Sequence, residues 1–211
     1  MSIHVLLADD HPMVRQSLRA VLEGQGFQIV GEAANGHEAV KIAEQVRPDV
    51  AVLDVSMPGL NGLDAADQIR KVSPRTKNVL ITMYEDERFI LRAVHLGVQG
   101  FLLKSRAAAM DLVQAIREVC RGAVFLCPEA SKVVVNAYLK DQHPEPDPLT
   151  AREREVLQLI AEGYTTKELA TRLNISLHTA ESYRTKVMEK LNIHCTAGLV
   201  RYAIRRGLTT V

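Results

Sequence analysis

The sequence predicts an α/β domain, doubly wound around a five-stranded parallel sheet, followed by a small all-α domain of four helices. Three observations carry this reading. Short apolar runs alternate with amphipathic segments through the first half of the chain. That alternation fades near Arg121 and a proline-rich stretch follows. From residue 149 onward the pattern is helical.

Residues 3–8, 28–33, 50–54, 78–82 and 100–103 read as strands. Several are almost wholly apolar, which suits strands buried on both faces of a parallel sheet. In the first predicted helix, Val14, Leu18, Val21 and Leu22 fall at i, i+4, i+7 and i+8 and form one apolar stripe. Gly24 and Gly26 end it. The other helices of this half are predicted over 36–45, 62–72, 86–96 and 107–120.

Beyond Arg121 one more helix is expected, over 129–139. Pro144, Pro146 and Pro148 then alternate with acidic residues, forbid helix and favour an extended spacer. The expected organisation is a first domain over 1–121, a linker over 122–148 and a second domain over 149–211. Thr150 and Glu153 make a capping box, followed by Val156, Leu159 and Ile160 on one face. Gly163 closes that helix. A second helix is predicted over 166–173, with a turn at Asn174 and Ile175. Ser176 caps a third helix reaching Leu191, and a fourth spans 196–206 and stops at Gly207.

Hydrophobic residues at 47% and charged residues at 24% describe a globular chain rather than a disordered one. No apolar run approaches the roughly 20 residues that span a bilayer, and the start lacks the pattern of a signal peptide, so a cytoplasmic protein without membrane partners is expected. Cys120, Cys127 and Cys195 form no metal-ligand spacing and read as incidental thiols. The net charge of +1 conceals an asymmetry: residues 149–211 carry 10 Lys/Arg against 6 Asp/Glu, whereas residues 1–148 carry 16 against 19. The positive excess lies where a polyanion would be met, although four charges also suit a solvated surface.

In an open α/β sheet, functional groups gather at the carboxyl ends of the strands. Asp9 and Asp10 follow the first strand, Asp54 ends the third, Thr82 the fourth, and Lys104 follows the fifth. Three converging carboxylates repel one another. A divalent cation resolves this, and an oxygen-only donor set suits Mg²⁺. Lys104 and Thr82 then complete a cradle for a phosphoryl group. The competing reading makes Asp9 and Asp10 a helix-capping pair and Lys104 a surface lysine, which explains each residue singly but not all five at successive strand ends.

Asp9-Asp10-His11, the stretch Leu53-Asp54-Val55-Ser56-Met57-Pro58-Gly59-Leu60-Asn61-Gly62, Thr82, and Gly100-Phe101-Leu102-Leu103-Lys104 together resemble a response-regulator receiver domain, which is flavodoxin-like in fold. The resemblance implies that Asp54 accepts phosphate from a sensor histidine kinase. It implies Mg²⁺ held by Asp10, Asp54 and the Ser56 carbonyl, with Asp9 acting through water. Lys104 is expected to pair with the phosphoryl oxygens, Thr82 to hydrogen-bond to them, and Phe101 to change rotamer in response. Taken alone, Phe101 is an ordinary core aromatic. His11 reads either as a general base or as a local hydrogen-bonding group at a helix start. Ser105 stands where many receivers have proline, and a cis bond before it costs about 2.5–4 kcal/mol.

The stretch from Leu149 to Leu157, then Gly163, Lys167-Glu168-Leu169-Ala170, Leu173, Ile175-Ser176, Thr179, Lys190-Leu191 and Ala203 resemble the LuxR/NarL/FixJ-type DNA-binding domain. Its second and third helices are then a helix-turn-helix, the third entering the major groove of double-stranded DNA. The exposed face should offer His178 and its neighbours to DNA. Glu181, Ser182 and Thr185 are expected to read bases, and Lys167, Thr179, Arg184 and Lys186 to contact phosphates. Glu181 either accepts from cytosine N4 or is a solvated acid at the groove edge. Ala180, Tyr183 and Gly198 depart from the usual valine, histidine and glutamate. Gly198 lies in the helix that often pairs two copies, so it weakens that contact or the usual pairing does not apply.

The combined expectation is a phosphorylation-controlled transcriptional regulator. Its partners are a sensor histidine kinase, DNA, RNA polymerase and, when active, a second copy of itself. Two rivals stand beside it: a regulator indifferent to phosphate, and a Mg²⁺-dependent phosphate-ester hydrolase. The intact pocket speaks against the first. The lack of a separate general acid or lid motif speaks against the second, so an enzyme is not expected.

Overall fold

The computed structural model of the chain describes residues 2–83, 87–104, 109–140, 147–206 and 208–209, and these fall into two compact units. In the first unit, strands β1 (His4–Ala8), β2 (Gln28–Ala33), β3 (Val50–Asp54), β4 (Lys77–Thr82), β5 (Gly100–Leu103) and β6 (Phe125–Leu126) form one sheet ordered β2-β1-β3-β4-β5-β6. All its pairings are parallel. Helices α1 (Pro12–Gly24), α2 (Gly36–Val46), α3 (Gly62–Val72), α4 (Glu87–His95), α5 (Ala109–Cys120) and α6 (Pro128–Leu139) follow the strands in turn.

The alternation of each strand divides its side chains between two apolar layers. Val5, Leu7, Val50, Val52, Val79, Ile81 and Leu102 face one layer with Leu22 of α1 and Leu112, Val113, Ile116 and Val119 of α5. Leu6, Ala51, Leu53, Leu80, Phe101 and Leu103 are buried as well. Every residue of β3 is buried, as expected of a strand covered on both sides.

The predicted count of five strands falls one short. Phe125 N–H donates to the Gln99 carbonyl at 2.8 Å and Cys127 N–H to the Phe101 carbonyl at 3.0 Å, which adds β6 alongside β5. A two-residue strand has no alternation to detect, so periodicity passes over it. The next helix, α6, begins at Pro128, where a missing N–H costs nothing.

The second unit consists of α7 (Ala151–Ala161), α8 (Thr166–Arg172), α9 (Leu177–Leu191) and α10 (Thr196–Arg205) around Leu149, Val156, Leu157, Ile160, Leu169, Leu173, Ala180, Val187, Leu199 and Ala203. The expected capping box of Thr150 and Glu153 is present, and Thr165 with Glu168 makes a second one at the start of α8. Ser176 caps α9 by accepting from Thr179 N–H. The tight turn from α8 to α9 places Asn174 at φ 51°, a left-handed conformation that asparagine tolerates. Gly207, expected to stop the last helix, and the spacer residues 141–146 lie outside the described residues.

Candidate functional site

The chain crosses from β1 out to β2 and returns to β3 on the other side of β1, so the switch point of the sheet lies between β1 and β3. At the carboxyl ends there stand Asp9, 1% exposed, and Asp54, 4% exposed. Lys104 Nζ bridges them, 2.7 Å from Asp9 Oδ2 and 3.1 Å from Asp54 Oδ1. Lys104 N–H in turn donates to the Thr82 carbonyl at 2.7 Å, which ties the end of β5 to the end of β4. Thr82 and Phe101 are both buried at 1% exposure.

Asp10 is the more accessible acid. Its Oδ1 lies 2.7 Å from His11 Nδ1, while His11 N–H donates to Asp9 Oδ1 at 2.9 Å. The ligand atoms of Asp9, Asp10 and His11 lie within 4.8 Å of one another. His11 thus makes local hydrogen bonds at the start of α1, and its side chain does not cap that helix. Ser56 is half-buried in the loop after β3. The start of α3 is pressed against Asp54: a Cβ on Gly62 would fall 2.8 Å from the Asp54 carbonyl carbon, and closer still to its oxygen.

Burial pushes the Asp54 carboxyl above its ordinary range, Asp9 and Asp10 add to this, and Lys104 only partly opposes it. Burial works against the charge on Lys104, but Asp54 and Asp9 outweigh it and hold the ammonium above its usual value. Among the described residues, Lys104 is the one Lys or Arg that bridges these carboxylates. Three acids set against one fixed cation leave an excess of about two negative charges on hard oxygen donors. That donor set fits a small divalent cation. The Lys104–Ser105 peptide bond, which bears on the geometry here, reaches outside the described residues.

In the second unit, α9 buries Ala180 and Val187 and exposes His178, Glu181, Thr185 and Lys186. Lys167 on α8 is also exposed. The other three expected DNA-contacting residues are half-buried and bonded within the unit. Thr179 Oγ1 lies 2.7 Å from Ser176 Oγ, Ser182 Oγ donates to the His178 carbonyl at 2.9 Å, and Arg184 Nη2 donates to Thr196 Oγ1 at 2.7 Å. Sequence reasoning missed Arg152. It donates to the Leu173 carbonyl at 2.8 Å and to Glu155 Oε2 at 2.6 Å, fixing the turn from which α9 departs.

A family model described as "Response regulator receiver domain" matches residues 5–117, and one described as "Bacterial regulatory proteins, luxR family" matches residues 147–203. The chain is a LuxR-type response regulator of the NarL/FixJ family. Oxygen regulatory protein NreC of Staphylococcus carnosus is 37% identical over 213 residues, covering 97% of this chain and 98% of that protein. Response regulator GacA of Pseudomonas aeruginosa is 34% identical over 209 residues, covering 98% and 97%. A solved complex of RcsB with DNA matches with a TM-score of 0.60 at 27% identity, covering 97% of this chain and 99% of that one. A structure of two RcsB dimers bound to two parallel DNAs matches at 0.59 and 26%, covering 97% and 99%.

Family membership makes this response regulator a two-component transcriptional regulator rather than an enzyme. No helix among the described residues is long and apolar enough to cross a membrane. The departures of this response regulator from the usual pattern fall at packed positions. Ala180 is fully buried. Tyr183 packs against the core of the second unit. Gly198 lets Ile193 sit on α10, since a Cβ there would meet Ile193 Cγ2 at 2.6 Å.

Proposed function

We propose that Asp54 is the phosphate acceptor of this regulator and that its phosphorylation controls dimerisation and DNA binding by residues 149–211, joined to the receiver, residues 1–121, through the segment 122–148. The observation that carries this reading is Lys104 bridging Asp9 and Asp54 at the carboxyl end of the sheet. A carboxylate oxygen of Asp54 attacks the phosphorus of a phosphohistidine on a sensor kinase. The new O–P bond forms as the P–N bond breaks, and the imidazole leaves with the electron pair. Asp10, Asp54 and the Ser56 carbonyl would hold Mg²⁺, with Asp9 acting through water, and the ion supplies positive charge to the phosphoryl oxygens. Lys104 moves from Asp54 to the incoming phosphoryl group, and Thr82 hydrogen-bonds to it. Phe101 changes rotamer as the end of β4 shifts, a population shift of a few kcal/mol.

On DNA, α9 enters the major groove. Glu181, Ser182 and Thr185 face base edges, and Lys167, Thr179, Arg184 and Lys186 face phosphates. Arg184 has five donors, so the one engaged by Thr196 leaves others for a phosphate. Two copies then read paired half-sites spaced by the helical turn, in the cytoplasm and beside RNA polymerase.

Intact mass after incubation with acetyl phosphate and Mg²⁺ tests the acceptor. A gain of one phosphoryl group in the wild type but not in Asp54→Ala is expected. Equal gain in both would withdraw Asp54 from the role.

A further inference from the structure

The first of the two acids after β1 is gripped from β2 and α1 by groups outside the acidic pocket. Asp9 N–H donates to the Ala33 carbonyl at 3.2 Å. Its own carbonyl accepts from Arg15 Nη1 at 2.6 Å. Arg15 Nε meets Glu32 Oε2 at 3.2 Å, and the other Glu32 oxygen accepts from Arg19 Nη1 at 2.7 Å. Arg19 Nε is taken by Glu23 at 2.9 Å. Arg15 and Glu32 are largely withdrawn from water, with side chains 18% and 28% exposed. A planar guanidinium held at one edge by a carboxylate presents its remaining donors in fixed directions. The peptide carrying Asp9 is therefore held at both its N–H and its C=O, and Asp10 and His11 follow directly from it.

We propose that Arg15, oriented by Glu32, is a positioning residue for the divalent-cation site, setting the β1–α1 turn so that Asp9 and Asp10 present their oxygens together. This rests on the reading of that pair as the Mg²⁺ site. Arg15 bonds to the Asp9 backbone carbonyl and to Glu32, so it would act on the cation through that turn rather than as a ligand. Its charge alone would act in the opposite sense. A guanidinium near a dication repels it, so by Coulomb's law its removal strengthens binding. Positioning predicts weaker binding, because partners that orient metal ligands typically contribute 10–100-fold to affinity. The sign of one measurement therefore separates the two.

Calorimetric titration of MgCl₂ into the full chain, as wild type, Arg15→Gln, Arg15→Lys, Glu32→Gln and the double variant Arg15→Gln/Glu32→Gln, makes that measurement. Arg15→Gln should raise the Kd on the order of tenfold. Arg15→Lys, which keeps the charge but cannot fork to Glu32, should fall between it and the wild type. The double variant should be no weaker than Arg15→Gln, since both changes break one linkage. With acetyl phosphate as donor, Arg15→Gln should need more Mg²⁺ for half-maximal labelling of Asp54 but reach the wild-type rate at saturation. Loss of stability in EDTA alone would not produce that split.

An Arg15→Gln protein that binds Mg²⁺ as tightly as the wild type, or more tightly, would overturn the proposal. So would a maximal labelling rate that saturating Mg²⁺ fails to restore. If Arg15→Gln does not fold, Arg15→Lys carries the test, because it keeps the charge and weaker Mg²⁺ binding then reports the lost fork alone. A wild type that gives no heat with MgCl₂ would instead sink the Mg²⁺ reading beneath it.

Discussion

Gly62→Ala is the smallest change that should separate α3 from Asp54. The added methyl would lie 2.8 Å from the Asp54 carbonyl carbon and 3.0 Å from Val55 Cα, whereas ordinary contact begins near 3.4 Å. Both neighbours are backbone, so no side chain can swing away. The Gly62 N–H also donates to the Val55 carbonyl at 3.0 Å, and that bond must lengthen as the helix recoils. Overpacking of this kind costs about 1–3 kcal/mol, and the rigid neighbours place this site at the upper end. Replacing glycine by alanine returns at most about 1 kcal/mol, the helix-interior figure, because Gly62 is the first residue of α3. The net expectation is a loss of roughly 2 kcal/mol, or about 30-fold faster exchange of the slowest β3 amides.

Peptide-resolved hydrogen exchange reads this in the receiver alone, which matters because two units need not unfold together. Gly24→Ala is the matched control. It lies in α1, nothing stands within 4 Å of its added Cβ, and it should leave exchange unchanged or slower. Slow β3 amides in Gly62→Ala that match or outlast those of the wild type would refute the packing argument.

Two further predictions follow from the charges. Burial, with Asp9 and Asp10, raises the Asp54 carboxyl above its ordinary range, so the folded state binds that proton more tightly than the unfolded chain. Wild-type stability therefore falls as pH rises from the ordinary carboxylate range through the raised value. Asp54→Asn escapes this fall. In metal-free buffer its receiver should melt above the wild type at pH 7, with the gap closing below about pH 4, and a gap independent of pH would contradict it. On DNA, Lys167→Ala and Lys186→Ala should each flatten the plot of log affinity against log salt by about one unit, and an unchanged slope would remove that lysine from the phosphate contacts.

The strand ends were legible because each acidic or basic residue interrupts an otherwise apolar run: Asp9 after Val5–Ala8, Asp54 after Val50–Leu53, Lys104 after Gly100–Leu103. Helix starts were legible where a capping residue precedes a periodic run, as at Thr150 and Ser176. The same signal was available at Thr165 and Glu168. What the sequence could not show was which distant side chain serves which backbone group. Arg15 and Glu32 are 17 positions apart, and Arg152 reaches Leu173 over 21. The bond from Arg184 to Thr196 likewise depends on how α9 and α10 pack, which no local pattern records.

The short strand β6 also decides where this receiver can safely be cut. With it in place, β5 is an interior strand, and the carbonyls of Gln99 and Phe101 are occupied. The edge on this side of the sheet is then only two residues long, too short to template another chain. A fragment ended at Arg121 would bare the acceptors of β5 and invite its copies to pair strand to strand. Self-association of such a fragment would then report a severed edge rather than the regulator's own dimer. A fragment carried past Leu139 keeps the edge closed and leaves the dimer question open to measurement.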